Sequence, residues 1–341
     1  MGKFLEAERQ RLVEFKWHTS YLSDAARLEG VYKKGKSHPI CLPRGHAEEN
    51  LFPGIRETAL SYFAKFAIKW HDGQAGKPSN HLCSSQVCCV NFLFPFHDQP
   101  VALAQLLRPV YPDLARMLLI ENGQYVAFEW IGQDNYLKEK IWRNGKRTRG
   151  ANFTSADAAV LFERTDSKRQ FVLIEWKYTE AYNSKQSLAF AKHSGTDRRE
   201  IYRWLFERPD CPININKNKY DALFYEPFYQ LMRQQLLANE MEKERELDAD
   251  RVSVLHIEPA QNTEFQKVTS PELVGFGSMV TDVWQRLVRE QDRFTRISTE
   301  DLFGMLVASS APEMQAWVDY IGARYPWVQA GSQASTQESQ L

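Results

Sequence analysis

The chain has 341 residues, 43% of them hydrophobic and 25% charged, a composition typical of a globular protein with one large or two small domains. Lys plus Arg and Asp plus Glu both total 43, so the zero net charge argues against a protein held on nucleic acid by bulk charge alone. A local basic groove beside an acidic centre remains compatible with this balance.

The beginning of the chain and its cysteines suggest a cytoplasmic protein. No secretory signal is visible, no apolar run approaches the length of a membrane-spanning helix, and the five cysteines are an odd number. We therefore expect a soluble, cytoplasmic protein with reduced thiols and no membrane partner.

The first third of the chain reads as an arm followed by helices. Residues 1–45 predict an N-terminal arm that starts as a charged helix and continues through a link containing Gly, Lys and Pro. Residues 51–70 predict a helix with Glu57 in its first turn, where the helix dipole favours an acid. Residues 81–94 predict a buried helix that uses cysteine as a small apolar residue, because the cysteine spacing does not match a zinc site.

A strand and a basic loop come next. Residues 125–131 predict a strand, and residues 138–150 carry six basic residues against the single acid Glu139. The six are Lys138, Lys140, Arg143, Lys146, Arg147 and Arg149. This loop predicts contacts with a phosphate backbone, and the alternative is a solvated hairpin tip.

Two apolar runs, residues 158–162 and 171–174, predict a hairpin closed by a polar segment. Pairing Phe162 with Val172, or Glu163 with Gln170, would place Asp157 opposite residues 175–177. Side chains alternate along a strand, so Glu175 and Lys177 share one face. Two carboxylates and an amine are therefore expected to converge where these strands end.

This combination of side chains suits a hard cation. Magnesium binds a few oxygen ligands and keeps several waters, and it can activate a water and neutralise charge on a phosphate. The pattern predicts hydrolysis of a phosphodiester. The alternative is an ordinary cross-strand ion pair on a surface hairpin, which contributes little stability.

An Asp on one strand followed by Glu175-Trp176-Lys177 on the next resembles the PD-(D/E)XK nuclease superfamily, with Ala156 where that motif has Pro. The amino-acid sequence also resembles bacterial restriction endonucleases of that superfamily, in residues 81–95, 154–163, 174–180 and 226–238. The resemblance implies an α/β fold with a restriction-endonuclease-like core: a helix, a three-strand meander, a helix and a strand, in a mixed sheet flanked by helices.

The rest of the chain is interpreted on that basis. We expect the core at residues 46–260, with an insertion at about 181–220 that could contact substrate, a helix over 226–247 and a strand over 252–258. Residues 261–328 predict a helical appendage, and the polar residues 329–341 predict a disordered tail.

The resemblance also implies roles for individual residues. Asp157, Glu175 and the carbonyl of Trp176 would bind Mg²⁺, or Mn²⁺ in its place, and Lys177 would position the attacking water. Glu57 and Gln230 would be accessory residues, and Lys146, Arg147, Arg149 and Arg233 would contact nucleic acid.

The implied activity is cleavage of DNA, with a restriction or phage-defence role. Cutting two strands with one site per chain commonly calls for two copies, so a homodimer is left open. The alternative function is a non-catalytic nucleic-acid-binding protein that kept the fold.

Overall fold

The protein is described by a computed structural model that covers residues 2–32, 35–139, 146–151, 153–192, 194–309 and 312–329. The α-helices of this part are α1 (Lys3–His18), α2 (Arg56–Lys65), α3 (Ser85–Leu93), α4 (Pro100–Leu107), α5 (Arg198–Phe206), α6 (Phe228–Lys243), α7 (Val280–Leu287), α8 (Thr299–Ser309) and α9 (Gln315–Arg324). Its strands are β1 (Gly30–Val31), β2 (Ser37–His38), β3 (Leu114–Leu118), β4 (Val126–Trp130), β5 (Ala156–Arg164), β6 (Arg169–Trp176), β7 (Phe190–Ala191), β8 (Thr196–Asp197), β9 (Arg251–Glu258) and β10 (Phe294–Ser298).

Six of the strands form one mixed central sheet in the order β10-β9-β6-β5-β3, and β4 also pairs with β5. β9 runs parallel to both β6 and β10, and the remaining pairs are antiparallel. β3 and β4 lie along the same side of β5, because Leu118 pairs with Leu161 and Val126 pairs with Val160. The predicted α/β fold with a mixed sheet between helices is confirmed at this level.

The sheet is buried on both faces, which explains why β5 and β6 are apolar almost throughout. One face contributes Val160 and Val172 to a core that includes residues of α3, and the other contributes Leu173 and Val254 to a core that includes residues of α6. A strand covered on both sides reads as a continuous apolar run. The change to polar residues at Glu175 therefore marks the end of the apolar run, although Glu175 itself is still buried.

The hairpin between β5 and β6 is tighter than either register predicted from the sequence. Phe162 pairs with Gln170 and Glu163 with Arg169, so both predicted registers were wrong by one or two residues. Arg164 N donates to Lys168 O (2.8 Å), leaving a three-residue loop in which Ser167 adopts φ +65°. A loop without glycine gives little sequence signal for this left-handed position.

The C-terminal region is more than a helical appendage, and this part of the predicted fold is corrected. β10 pairs in parallel with β9 and completes the central sheet. Arg324 of α9 is fully buried and donates to Asn50 O and to the Tyr320 hydroxyl, both at 2.6 Å. Medium-length apolar segments between helices do not reveal whether a chain returns to an existing sheet edge.

The helices of the described ranges include none with the length and apolarity needed to cross a membrane. The predicted disordered tail lies outside the described residues except for Gln329, and so do Lys140 and Arg143 of the basic loop.

Candidate functional site

Three of the predicted site residues meet at one end of β5 and β6. Ala158 pairs with Ile174, so Asp157 and Glu175 occupy the next opposed positions of the antiparallel pair. Side chains at opposed positions lie on the same face, with Cβ atoms about 4.5–5.5 Å apart. Lys177 follows two residues after Glu175, and all three side chains line the same cavity of about 190 Å³.

Glu175 and Lys177 are held by each other and by α6. Lys177 Nζ lies 2.5 Å from Glu175 Oε1 and donates to Gln230 Oε1 at 2.8 Å. Gln234 donates to the other carboxylate oxygen of Glu175. Because Gln230 and Gln234 are four residues apart, they lie on one face of the helix. Glu175 and Lys177 are only 5% and 6% exposed, so this arrangement is largely removed from solvent.

Asp157 is half-buried beside this pair. Its Oδ2 accepts a hydrogen bond from Trp176 N at 2.8 Å, which ties the carboxylate to the neighbouring strand. Burial and the negative charge of Glu175 raise the pKa of Asp157 well above its ordinary value, although Lys177 opposes this shift. Burial alone would lower the pKa of Lys177, but the nearby carboxylate of Glu175 contributes to a net shift well above the ordinary value. The site therefore concentrates negative charge that one ammonium group offsets incompletely.

Glu129 is a further acid at this end of the sheet. Phe128 pairs with Ala158 and Trp130 with Ala156, which places Glu129 at the position opposite Asp157. Its carboxylate accepts from Gln86 Nε2 (2.6 Å) and from Ser155 Oγ (2.9 Å), and burial raises its pKa. Glu129 is only 7% exposed and lies in the wall of the cleft.

Glu129 also has an unusual backbone. Its φ of +51° lies in the left-handed region in the middle of a strand, a conformation that costs a non-glycine residue of order 1–3 kcal/mol. Such strain is kept only where surrounding contacts enforce it, and it clusters at functional sites. No sequence pattern reveals it.

A larger cleft of about 890 Å³ opens above these residues. Asp157 and Lys177 form part of its floor. Glu129 lies in its wall, to which α1 contributes Leu5 and Arg9, and the predicted insertion contributes α5. β8, α5 and α6 also supply residues to the cleft: Thr196, Arg198, Ile201, Tyr202, Tyr229 and Arg233. The insertion thus borders the cleft, as its predicted contact with substrate requires.

The oxygen atoms available here are of the kind that magnesium prefers. Asp157 and Glu175 offer carboxylates, and the carbonyl of Trp176, which accepts from Ser85 Oγ at 3.4 Å, belongs to a residue that lines the cleft. Within the described ranges, no three His, Cys, Asp or Glu side chains are grouped closely enough to hold a metal ion by themselves. Two carboxylates and a carbonyl fit an ion that keeps several waters, and they do not fit zinc.

Glu57 is not brought to the site. It lies in the first turn of α2, is exposed, and borders neither cavity. The buried face of α2 is formed by Ala59, Tyr62 and Phe63, which turns Glu57 toward solvent. The acid that the sheet supplies in its place is Glu129.

Two of the predicted DNA contacts serve the fold instead. Arg149 donates to Phe128 O (3.0 Å) and pairs with Glu121 (2.9 Å), and Arg147 donates to Gly132 O and Gln133 O, both at 3.1 Å. β4 lies at the outer edge of the sheet, where carbonyls lack a partner strand. The two guanidinium groups donate hydrogen bonds to such carbonyls on or just after β4. Lys146 is exposed, and neither it nor the two arginines borders the cleft.

Arg233 does reach the cleft, through a network that the sequence did not reveal. Its Nε donates to Thr154 Oγ1 (2.8 Å) and lies 3.6 Å from Glu139 Oε1. Glu139 also accepts from the hydroxyls of Thr154 (2.6 Å) and Tyr202 (2.7 Å). The one acid of the basic loop therefore joins α5, α6 and the segment before Asp157. A lone acid among six basic residues was its only sequence signal.

Comparison with known proteins agrees with this architecture. The family model described as "Restriction Endonuclease associating with ARP" matches residues 12–326, and the chain belongs to this family. The predicted resemblance to restriction endonucleases is thereby confirmed. No curated protein and no solved structure matches the chain.

Proposed function

We propose that the protein is a magnesium-dependent nuclease that hydrolyses phosphodiester bonds of DNA. The observation that carries the proposal is the convergence of Asp157, Glu175 and Lys177 at the ends of two paired strands, on the floor of a cleft. A restriction-endonuclease family supports a nuclease-like role, and a restriction or phage-defence function is the biological form we propose for it.

Asp157, Glu175 and the carbonyl of Trp176 would hold the ion. When bound, Mg²⁺ (or Mn²⁺ in its place) lowers the pKa of a coordinated water and offsets charge on a phosphate oxygen. The chain's own contribution is orientation. Gln230 accepts from Lys177 Nζ, and Gln234 donates to Glu175, so α6 fixes both motif side chains before substrate arrives.

Lys177 would act through the donors of its ammonium group. Two of its partners are Glu175 and Gln230, and an ammonium group has three donors, which leaves one for a water or a phosphate oxygen in the cleft. A preorganised donor aimed at developing charge is worth more in a buried site than in water. Arg233 on the cleft wall would hold the backbone of the nucleic acid, and an exposed Lys146 would add a weaker contact.

A second candidate is a nucleic-acid-binding protein without catalysis. It is favoured by the observation that both carboxylate oxygens of Glu175 already have partners, Lys177 and Gln234. An ion would have to compete with these contacts. A divalent ion bound at Glu175 would replace Lys177 or Gln234 as the partner of one carboxylate oxygen, so metal binding itself separates the two candidates.

Cleavage of plasmid and linear DNA in Mg²⁺, Mn²⁺, Ca²⁺ or EDTA tests the proposal. We expect cutting in Mg²⁺ and Mn²⁺, and its loss in Asp157→Ala and Lys177→Ala variants that retain the wild-type circular dichroism spectrum. Lys168→Ala serves as the matched lysine control, because that residue is exposed, lies in the loop at the opposite end of β5 and β6, and borders neither cavity. DNA retardation without cutting in any cation would support the non-catalytic candidate, and a folded protein that neither binds nor cuts would refute both.

A further inference from the structure

One part of the cleft wall, supplied by the segments that follow β1 and precede α3, carries side chains that the proposed nuclease chemistry does not use. Tyr32, Asp72 and His81 line the same cavity of about 890 Å³ as Asp157 and Lys177. All three are half-buried. Ligand sites are typically clefts of roughly 300–1,000 Å³ that combine aromatic rings with a few placed polar groups. This part of the wall has that composition.

The three side chains contact one another, although they come from separate segments of the chain. The Tyr32 hydroxyl donates to Asp72 Oδ2. The rings of Tyr32 and His81 pack with their centroids 4.9 Å apart and their planes inclined by 54°. Asp72 Oδ2 also lies 3.6 Å from His71 Nε2. We call this group the Tyr32–Asp72–His81 cluster.

Backbone and amide contacts hold the cluster in place. Cys41 O accepts from Gly30 N at 3.0 Å, and Cys41 forms an antiparallel bridge with His81. Asn80 Nδ2 donates to Val31 O at 3.1 Å. The two segments that supply the aromatic rings of the cluster are thereby joined, as a preorganised binding site requires.

The same wall is connected to the proposed metal site through one side chain. Gln86 Oε1 accepts from His71 N (2.7 Å), and Gln86 Nε2 donates to Glu129 Oε1 (2.6 Å). Glu129 occupies the position opposite Asp157 in the sheet. A nucleotide bound at the cluster would therefore share the cleft with the phosphate at the proposed metal site.

We propose that the Tyr32–Asp72–His81 cluster recognises one nucleobase turned out of the DNA duplex, with guanine as the preferred base. Enzymes that accept an extruded base read it by stacking on aromatic side chains and by hydrogen bonds to its Watson–Crick edge. Tyr32 would supply the stacking ring, and Asp72 would read the edge. The inference rests on the proposed nuclease function and specifies its substrate: DNA with an extruded guanine beside the cleaved bond.

The preference for guanine follows from the hydrogen-bonding groups of the cluster. Guanine is the one DNA base with two adjacent N–H groups on its Watson–Crick edge, at N1 and N2, and an ionised carboxylate only accepts hydrogen bonds. The carboxylate of Asp72 has about four lone-pair sites, so accepting from the Tyr32 hydroxyl uses only part of its capacity. His81 Nδ1 accepts from Cys83 N (3.2 Å), which leaves the hydrogen of the neutral ring on Nε2, a donor suited to guanine O6.

Binding in Ca²⁺ without cleavage tests the base preference. Fluorescein-labelled duplexes carry one bulged nucleotide, either guanine, inosine, adenine, cytosine or thymine, because an unpaired base is extruded at little cost. Wild-type protein should bind the guanine duplex about five- to hundredfold more tightly than those with adenine, cytosine or thymine, the range of one bidentate contact. Inosine lacks the N2 amino group and should give an intermediate affinity.

Asp72→Asn is the decisive variant, because the amide keeps the size of the side chain but presents one donor and one acceptor. This pattern complements adenine and cytosine, so both should be bound at least as tightly as guanine. A merely structural role of Asp72 would weaken binding to all five duplexes equally. Asp166→Asn is the matched control and should keep the guanine preference, since Asp166 is exposed in the loop at the opposite end of β5 and β6 and borders neither cavity.

The aromatic ring gives a second readout. Tyr32→Ala should weaken binding to all five duplexes by about five- to hundredfold, the range of aromatic–base stacking, whereas Tyr32→Phe keeps the ring and should retain most of the affinity. The inference is wrong if wild-type protein binds the five duplexes equally, if the guanine preference survives Asp72→Asn, or if Tyr32→Ala loses no more affinity than Tyr32→Phe. The proposed function fails separately, when wild-type protein does not cut DNA in Mg²⁺, so the two failures are distinguishable.

Discussion

Lys177 and Glu175 lie two residues apart on one strand end and form an ion pair of 2.5 Å between Nζ and Oε1 that is almost completely removed from solvent. A buried ion pair is a poor source of stability, because desolvation of both charges offsets their attraction. Apolar residues of the same size would stabilise this position as well or better. Its presence at the floor of a cleft is therefore better explained by chemistry than by folding.

This relationship predicts different outcomes for one and two substitutions. Lys177→Met leaves the carboxylate of Glu175 buried without its ammonium partner, so we expect a loss of about 3–5 kcal/mol in the free energy of unfolding. Adding Glu175→Gln should restore most of that stability, because neither member of the former ion pair then carries a charge. Neither variant should cut DNA. Urea unfolding and a cleavage assay provide the two measurements, and cutting by the restabilised double variant would contradict the assignment.

Gln230 should affect activity more than stability. Its side-chain oxygen accepts from Lys177 at 2.8 Å, so Gln230→Leu frees the ammonium group without removing it. We expect a ten- to hundredfold fall in the cleavage rate, by analogy with groups that orient metal-site residues, and a loss of only about 1 kcal/mol in unfolding free energy. Asn239→Ala on the same helix borders neither of the two site cavities and should leave the rate unchanged.

Isosteric substitutions can test whether Glu129, rather than Glu57, is the acid that assists the metal site. Glu129→Gln keeps the size and the contact with Ser155 but removes a charge from the wall of the cleft. We expect weaker Mn²⁺ binding, measured by electron paramagnetic resonance, and slower cleavage. Glu57→Gln should change neither, because Glu57 is exposed and away from both cavities. An effect of Glu57→Gln as large as that of Glu129→Gln would reverse the correction.

Substitutions of Arg149 and Lys146 should distinguish a role in stability from a role in DNA binding. Arg149 donates to Phe128 O and pairs with Glu121, so Arg149→Ala leaves two partly buried acceptors without this partner and should cost about 2–4 kcal/mol of unfolding free energy. Below the melting transition, the salt dependence of DNA binding should not change. Lys146→Ala should alter stability by less than about 0.5 kcal/mol. A reduced salt slope in a folded Arg149→Ala protein would return that residue to the DNA interface.

The five cysteines should be unreactive in the native protein. All five are buried as free thiols, and burial raises the pKa of Cys41 to about 11 and that of Cys83 to about 12. At pH 8 the thiolate fraction of Cys41 is then on the order of 10⁻³. A disulfide reagent should label none of the thiols until denaturant is added, and fast labelling of native protein would show that the segment carrying the labelled cysteine opens.

The same shifts predict how stability depends on high pH. A thiol whose pKa is raised by folding stabilises the native state below its ordinary pKa of about 9, and this contribution is lost as pH rises through about 11. Unfolding free energy should therefore decline above about pH 9. Cys41→Ser and Cys83→Ser should flatten this decline, measured by urea unfolding between pH 8 and 11.

The sequence alone determined which residues could form the site, because the rules involved are local. Apolar runs with alternating faces defined the strands that became β5 and β6, and the polar residues at their ends marked Asp157, Glu175 and Lys177. The spacing of α6 placed Gln230 and Arg233 on a polar side of the helix, and both lie at the site. The resemblance to restriction endonucleases, which the family match confirms, was also visible in the sequence.

Only the tertiary structure decided which of the remaining charges belong to the site and which to the fold. The sequence predicted Arg147 and Arg149 as DNA contacts, yet both donate hydrogen bonds to backbone carbonyls on or just after β4. The loop that carries these arginines meets β4 only after folding. Glu129 reaches the site through a left-handed backbone that no residue pattern encodes, and β10 joins the sheet through a parallel pairing 40 residues away in the chain. Charge and apolarity are properties of a residue, whereas a hydrogen-bond partner is a property of the whole fold.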